Sequence, residues 1–184
     1  MRVFTNKDVQ KSIDMAVDAH RGQVRPHSEI PYVMHSIQVG NLVHHTGELK
    51  GQELLKAVIV ANLHDVIGNT NLTYIDLENE FGHEIANAIE SLSEKISNED
   101  ELFIQIEKFY KISKKISNQP SWVKIIKTTD IISNIIKLSD KYSLNEVEDY
   151  LYKLSIEIDR WELSDTLNIT FKEKKEEVLR RYKK

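Results

Sequence analysis

Apolar residues recur every third or fourth position along nearly all of the chain, and no stretch alternates convincingly with period two. Val9, Ile13, Ala16, Val17 and His20 fall at helical spacing behind Thr5 and Asp8. That pair resembles a capping box with Asp in place of the usual Glu, and the spacing predicts a helix over 6–22. Val33, Ile37, Val39 and Leu42 predict a second over 32–46, ending before Gly47. The stretch between them, GQVRPHSEIPY, carries Gly22, Pro26 and Pro31 and reads as a loop. The run AVIVANLHDVI fills a third helix over 52–67, with Gly68-Asn69 as its C-terminal stop. A short helix follows from Thr73 to Phe81, and another over 82–95 with Ile85, Ala88, Ile89 and Leu92 on one face. A sixth covers 98–116, and Pro120 opens a seventh near its first turn. Ser143 with Glu146 makes a capping box before a helix reaching about Trp161, and Thr170 with Glu173 caps part of a last one ending in RRYKK. No internal repeat and no linker stands out. The fold class expected is all-α, as a single domain over 1–184.

Composition narrows this picture. A chain of 184 residues, 40% hydrophobic and 29% charged, has the make-up of a soluble globular protein with a sizeable core. A net charge of −4 gives no argument for a nucleic-acid partner. Without cysteine there is neither a disulfide framework nor thiolate chemistry, which fits a cytoplasmic protein. The N-terminus MRVFTNKDVQ lacks the apolar region of a signal peptide, and no run approaches a membrane span, so no membrane partner is expected. Distribution says more than totals. All seven histidines (20, 27, 35, 44, 45, 64 and 83) and all six glycines lie within the first 83 residues. The second half is nearly free of helix breakers, so the histidine chemistry belongs mainly to the first.

His64 and Asp65 are neighbours, about 100° apart around a helix. A cation lying over that edge touches both, but two ligands hold it poorly, so further donors must come from elsewhere. His35 stands near the start of the second helix. Asp130 lies inside VKIIKTTDIISNI, with Ile126 one turn before it and Ile131 and Ile132 directly after. An aspartate in such company is expected to be at least partly buried, and a buried unpaired carboxylate is costly. A cation there would remove the cost. Spacing alone leaves the alternative open that His64 is a satisfied core histidine beside a chance aspartate.

Four stretches occur in order and at suitable intervals: AHRGQVRPHSEIPYVMHS, ANLHDVIGNT, FGHEIANAIESLSEK and IKTTDIISNI. Together, over about residues 14–140, they resemble the HD-domain metal-dependent phosphohydrolases of the RelA/SpoT type. The resemblance implies an HD-type helical bundle, with the C-terminal helices over 143–184 packing on it. It implies one divalent ion held by His35, His64, Asp65 and Asp130. Mn²⁺ is the first choice, with Fe²⁺, Co²⁺ and Zn²⁺ also suited to mixed nitrogen and oxygen donors. It implies water activated at that ion, which in relatives acting on ppGpp attacks the 3′-pyrophosphate. The ligand implied is a small phosphorylated nucleotide-like molecule. Arg21 and Arg25 match the family's basic phosphate-facing segment. Lys127 and Asn134 match polar positions around the last aspartate, and Tyr32 packs beneath the site. A homo-oligomer stays open.

Two departures bear on activity. Active family members typically read HDxxED, where this chain reads His64-Asp65-Val66-Ile67-Gly68-Asn69. Gly68 and Asn69 thus occupy the catalytic positions of a Glu-Asp pair. Glycine has no side chain, and an asparagine cannot accept a proton as a carboxylate does. General acid–base help is worth roughly 10²–10⁴-fold. Ile131 also stands where relatives often carry a basic residue. Three readings remain. The chain is a phosphohydrolase that uses another carboxylate (Asp76, Glu78 and Glu80 lie downstream) or the metal alone. Or it is a catalytically impaired protein that binds metal and a nucleotide for regulation. Or it is a helical interaction scaffold, against which the four retained ligands count. On the first reading, restoring Gly68→Glu with Asn69→Asp raises ppGpp hydrolysis. Near the C-terminus, Val147, Leu151 and Leu154, with Tyr150 beside them, read as packing positions, and the basic tail as a solvated helix end suited to the helix dipole.

Overall fold

A computed structural model describes residues 2–25, 29–94 and 102–183 of the chain. Among the described residues the fold is all-α, with ten helices and, apart from one isolated antiparallel bridge between Val24 and Pro31, no strand. The chain forms two compact units, Met1–Ile96 and Ser97–Lys184. No helix among the described residues is long and apolar enough to cross a membrane.

The first unit holds α1 (Asn6–Ala19), α2 (Val33–His45), α3 (Gly51–Leu63), α4 (Val66–Asn69), α5 (Tyr74–Phe81) and α6 (His83–Leu92). At its centre α3 packs against α1, α2 and α6. Ala57, Ile59, Val60, Ala61 and Leu63 are all removed from solvent, as suits a helix that is apolar nearly all round. Asn62 is the polar exception, and its Nδ2 donates to Ser12 Oγ at 2.9 Å, tying α3 to α1. Its Oδ1 lies within clashing distance of any β-carbon at position 40, so Gly40 is what lets α2 come this close to α3. The capping box of α1 forms, the Asp8 carboxylate accepting from the N–H and the hydroxyl of Thr5 at 2.8 Å each.

The second unit holds α7 (Leu102–Ile116), α8 (Ser121–Ile135), α9 (Leu144–Asp159) and α10 (Asp165–Tyr182). Here α7 packs on α9, while α10 packs on α8 and α9. Pro120 is the N-cap of α8. The isoleucines of α8 at 125, 126, 131, 132 and 135 are buried, and so are Thr128 and Thr129. Both threonine hydroxyls donate to carbonyls of their own helix, so a buried helix with polar residues leaves them satisfied. Phe109 and Trp161 meet edge to face, ring centroids 5.8 Å apart.

The structure departs from the periodicity in four places. The third helix does not run unbroken to residue 67 but turns at His64-Asp65. The Ala61 carbonyl accepts from His64 Nδ1 at 2.8 Å, and the His64 carbonyl accepts from Ser93 Oγ at 3.0 Å. Side chains thus serve carbonyls that a continuing helix would bond through its backbone. Gly68-Asn69 is accordingly not the stop of that helix but part of α4, which ends at an extended Thr70. Thr170 is no cap, because α10 already starts at Asp165 with Ser164 as N-cap, and the Thr170 hydroxyl donates to Thr166 inside the helix. Nor is the basic tail merely solvated. Arg181 donates to the carbonyls of Ile136 and Leu138 at 2.8 and 2.6 Å, and the Tyr182 hydroxyl to that of Ser139 at 2.5 Å. These donors serve carbonyls left over at and just beyond the end of α8. The expected helix ends at 95 and 98 lie outside the described residues.

Candidate metal centre

Three of the four expected ligands converge within the first unit. The bridge between Val24 and Pro31 folds the loop after α1 back on itself, with Arg25 N–H to Ile30 O at 3.1 Å and Tyr32 N–H to Gln23 O at 2.9 Å. It delivers Tyr32 to the start of α2, where His35 lies in the first turn. The turn after α3 brings His64 and Asp65 to meet it. Asp65 Oδ2 stands 3.3 Å from His64 Nε2 and 3.8 Å from His35 Nε2. The two imidazoles are 5.3 Å apart and inclined at 71°. Both are 2% exposed while the Asp65 side chain is 23% exposed, so the cluster opens to solvent on the aspartate side.

The protonation of His64 follows from its partner. A carbonyl oxygen can only accept, so Nδ1 carries the hydrogen that goes to Ala61. In the neutral ring Nε2 is then a lone pair, and it faces a carboxylate oxygen. Two acceptors at this distance call for positive charge between them, either a proton or a cation. A metal-binding histidine is held in the same way, with the far nitrogen donating to a backbone carbonyl. The donor set therefore fits a divalent metal ion.

Around these ligands lies a second tier of hydrogen bonds. The Tyr32 hydroxyl donates to Asp65 Oδ2 at 2.8 Å and accepts from Asn69 Nδ2 at 2.8 Å. Gln23 Nε2 donates to the Asn69 carbonyl at 2.8 Å. Its Oε1 accepts from His20 Nδ1 at 2.8 Å, and His20 stacks on Tyr32 with ring centroids 4.8 Å apart. Residues from the end of α1, the loop, α2 and α4 thus fix the orientation of one carboxylate.

Asp130 sits on α8 at 3% exposure, as its isoleucine-rich setting led one to expect. Both oxygens are bonded within the helix: Oδ2 accepts from Lys127 Nζ and Oδ1 from Asn134 Nδ2, each at 2.7 Å. Lys127 and Asn134, expected to meet substrate, thus hold this carboxylate. The phenol of Tyr150 is pushed up from its usual range by burial, then by the negative charge of Asp130 and by Tyr142. His35 and His64 in the first unit, and Asp130 in the second, are each buried side chains of a kind that ligates metal ions.

The remaining candidates fall elsewhere. Arg21 is exposed and pairs with Asp18 at 2.6 Å. Arg25 is half-buried in the folded-back loop. Asp76 serves the cap of α5, Glu78 bonds His83, and Glu80 pairs with Lys11. Gly68 abuts the end of the segment after α6, where a β-carbon would stand 2.8 Å from the Glu94 carbonyl oxygen. Sequence reasoning missed His20 and Gln23 as parts of the site. The only available signal was their place in the stretch AHRGQ.

A helical unit built around a His-Asp turn and a helix-borne histidine is the HD-domain arrangement, and the chain is a homologue of the HD-domain ppGpp hydrolases. It is 24% identical over 148 residues to the guanosine-3′,5′-bis(diphosphate) 3′-pyrophosphohydrolase of Danio rerio, with 76% of each chain covered. It is 31% identical over 150 residues to the protein of that name from Borreliella burgdorferi, and 34% identical over 108 residues to the bifunctional (p)ppGpp synthase/hydrolase SpoT of Escherichia coli. Those two alignments take in 82% and 58% of this chain but only 20% and 14% of the longer bacterial proteins. A solved structure of a metazoan ortholog of SpoT that hydrolyzes ppGpp shares the fold, with a TM-score of 0.71 over 98% of both chains at 19% identity. No protein-family model matches the chain.

Proposed function

We propose that the chain is a metal-dependent phosphohydrolase acting on a nucleotide-like phosphate ester of the ppGpp kind. The observation that carries the reading is the convergence of His35 and His64 on Asp65, with the lone pair of His64 turned inward by Ala61. The kinship to ppGpp 3′-pyrophosphohydrolases supplies the substrate class. His35, His64, Asp65 and Asp130 would hold one divalent ion, with Mn²⁺ the first to test. Such an ion supplies positive charge against phosphate oxygens and makes water more acidic. The protein's own part is to hold the donors: Ala61 orients His64, Tyr32 and Asn69 orient Asp65, and Lys127 and Asn134 orient Asp130. Arg25, on the folded-back loop that carries Tyr32, is the candidate cation for a phosphate. A cytoplasmic setting belongs to the same reading.

One observation favours a second reading, a metal and nucleotide binder without turnover. At the positions of the family's Glu-Asp pair the structure has a glycine closed off by the Glu94 carbonyl and an amide already engaged with Tyr32. Neither can take up a proton. The two readings separate in one assay with Mn²⁺ against ppGpp, mononucleotides and dinucleotide phosphates, repeated with His64→Ala. Turnover that requires Mn²⁺ and vanishes in the variant is the expected result. Turnover that survives in His64→Ala overturns the proposal. Metal-dependent binding of a nucleotide without turnover selects the second reading.

A further inference from the structure

We infer that Asn69, at the place where active relatives carry an acid, is a positioning residue that directs the proton of Tyr32 onto Asp65. The group has few protons to share. A tyrosine hydroxyl has one hydrogen to give, and here it stands 2.8 Å from an aspartate oxygen and 2.8 Å from an asparagine side chain. The ionised carboxylate can only accept, so the hydroxyl donates to Asp65, and Asn69 must present its N–H. That fixes the direction of both bonds. An amide at position 69 makes the arrangement single-valued. A carboxylate there would instead compete with Asp65 for the one proton of Tyr32.

The surroundings keep the amide in place. The backbone carbonyl of Asn69 accepts from Gln23, whose other end is bonded to the buried His20, and His20 stacks on the same Tyr32 ring. The chain closes on itself from His20 through Gln23, Asn69 and Tyr32. From Tyr32 it leads on to Asp65 Oδ2, the oxygen that faces both histidines. Where the family pattern has a group that moves protons, this chain has one that aims a proton and thereby fixes a ligand.

The inference deepens the proposed metal site and rests on it for its functional meaning, but its physical content can be measured without metal. The test is a double-mutant cycle with Tyr32→Phe and Asn69→Ala on the full chain, read both as Mn²⁺ affinity by calorimetric titration and as the denaturation midpoint of the metal-free protein. Loss of an outer-tier partner commonly weakens metal binding about 10–100-fold, so Tyr32→Phe is expected at about 10-fold and Asn69→Ala at a smaller loss. If Asn69 acts through Tyr32, the double variant binds Mn²⁺ no more weakly than Tyr32→Phe alone. An Asn69 that acts only structurally, and not through Tyr32, lowers affinity or midpoint equally in both backgrounds and leaves no coupling in either readout. Asn69→Asp, of the same shape, serves as a second variant. Its new charge acts in both backgrounds and cancels in the cycle, so a coupling remains only if it passes through Tyr32. Losses in affinity that multiply independently overturn the inference. Should the wild-type chain bind no Mn²⁺, the functional reading falls. The metal-free midpoints still decide this one, with independent effects of the two changes counting against it.

Discussion

A β-carbon at position 68 would stand 2.8 Å from the Glu94 carbonyl oxygen, a backbone atom that cannot swing aside. From the sequence Gly68 reads as an absence, the place of a lost glutamate. In the structure it is a close contact between α4 and the segment after α6, which Ser93 also ties to the His64 carbonyl at 3.0 Å. Overpacking of this kind costs about 1–3 kcal/mol. Gly68→Ala is therefore expected to lower the melting temperature by several degrees, at about 2–4 °C per kcal/mol for a chain of this size. Coincident melting curves would show that the segment yields. By the same argument, restoring Gly68→Glu with Asn69→Asp cannot simply rebuild an acid pair, because Glu94 must first move. The proposed donors stand in the sequence as adjacent or motif-placed residues. The path from Asn69 through Tyr32 to Asp65 was not legible there, since it joins side chains whose approach depends on a loop fold that no local pattern encodes.

At the scale of elements, periodicity located nearly every helix, because each buries one face against a neighbour. It failed where side chains compete with the backbone, as at the turn after Leu63. His64 and Ser93 serve the carbonyls there, with no glycine or proline before the turn to announce it. Caps were readable when Ser or Thr stood three residues before an acid outside a helix, and misleading at Thr170 inside one. These caps predict a pH dependence. The hydroxyl and then the N–H of Thr73 hold Asp76 below its ordinary 3.8, and those of Ser143 hold Glu146 below 4.5. A carboxyl held low in the folded state stabilises it only while ionised. The contribution is complete above the ordinary values and is lost as pH falls through the lower folded ones. The urea midpoint should therefore drop between about pH 5 and about pH 3, with a shallower drop in a Thr73→Ala/Ser143→Ala variant. An unchanged slope in that variant would remove the caps from the account. At α10, Ser164 accepts from Leu167 N–H at 3.3 Å, and Ser164→Ala is expected to cost about 1 kcal/mol in chemical denaturation.

At the scale of the molecule, the all-α class followed from pattern alone, and kinship to the ppGpp hydrolases from four stretches in register. The division into two compact units did not follow. Its boundary falls in SEKISNEDE, which is polar but has neither glycine nor proline to mark a linker. The basic C-terminus, unremarkable as sequence, reaches the carbonyls beyond α8 through Arg181 and Tyr182. The helix they brace carries Asp130. The functional account needs a cation among donors that lie far apart in the chain, and a ligand that binds only the folded state raises stability by about 2.7 kcal/mol at a hundredfold excess over its Kd. The most direct measurement is calorimetric titration of the metal-free chain with Mn²⁺, alongside His64→Ala and Asp65→Asn. The account predicts one ion per chain for the wild type and a collapse of binding in both variants. No binding by the wild type, or binding that neither substitution weakens, would contradict it.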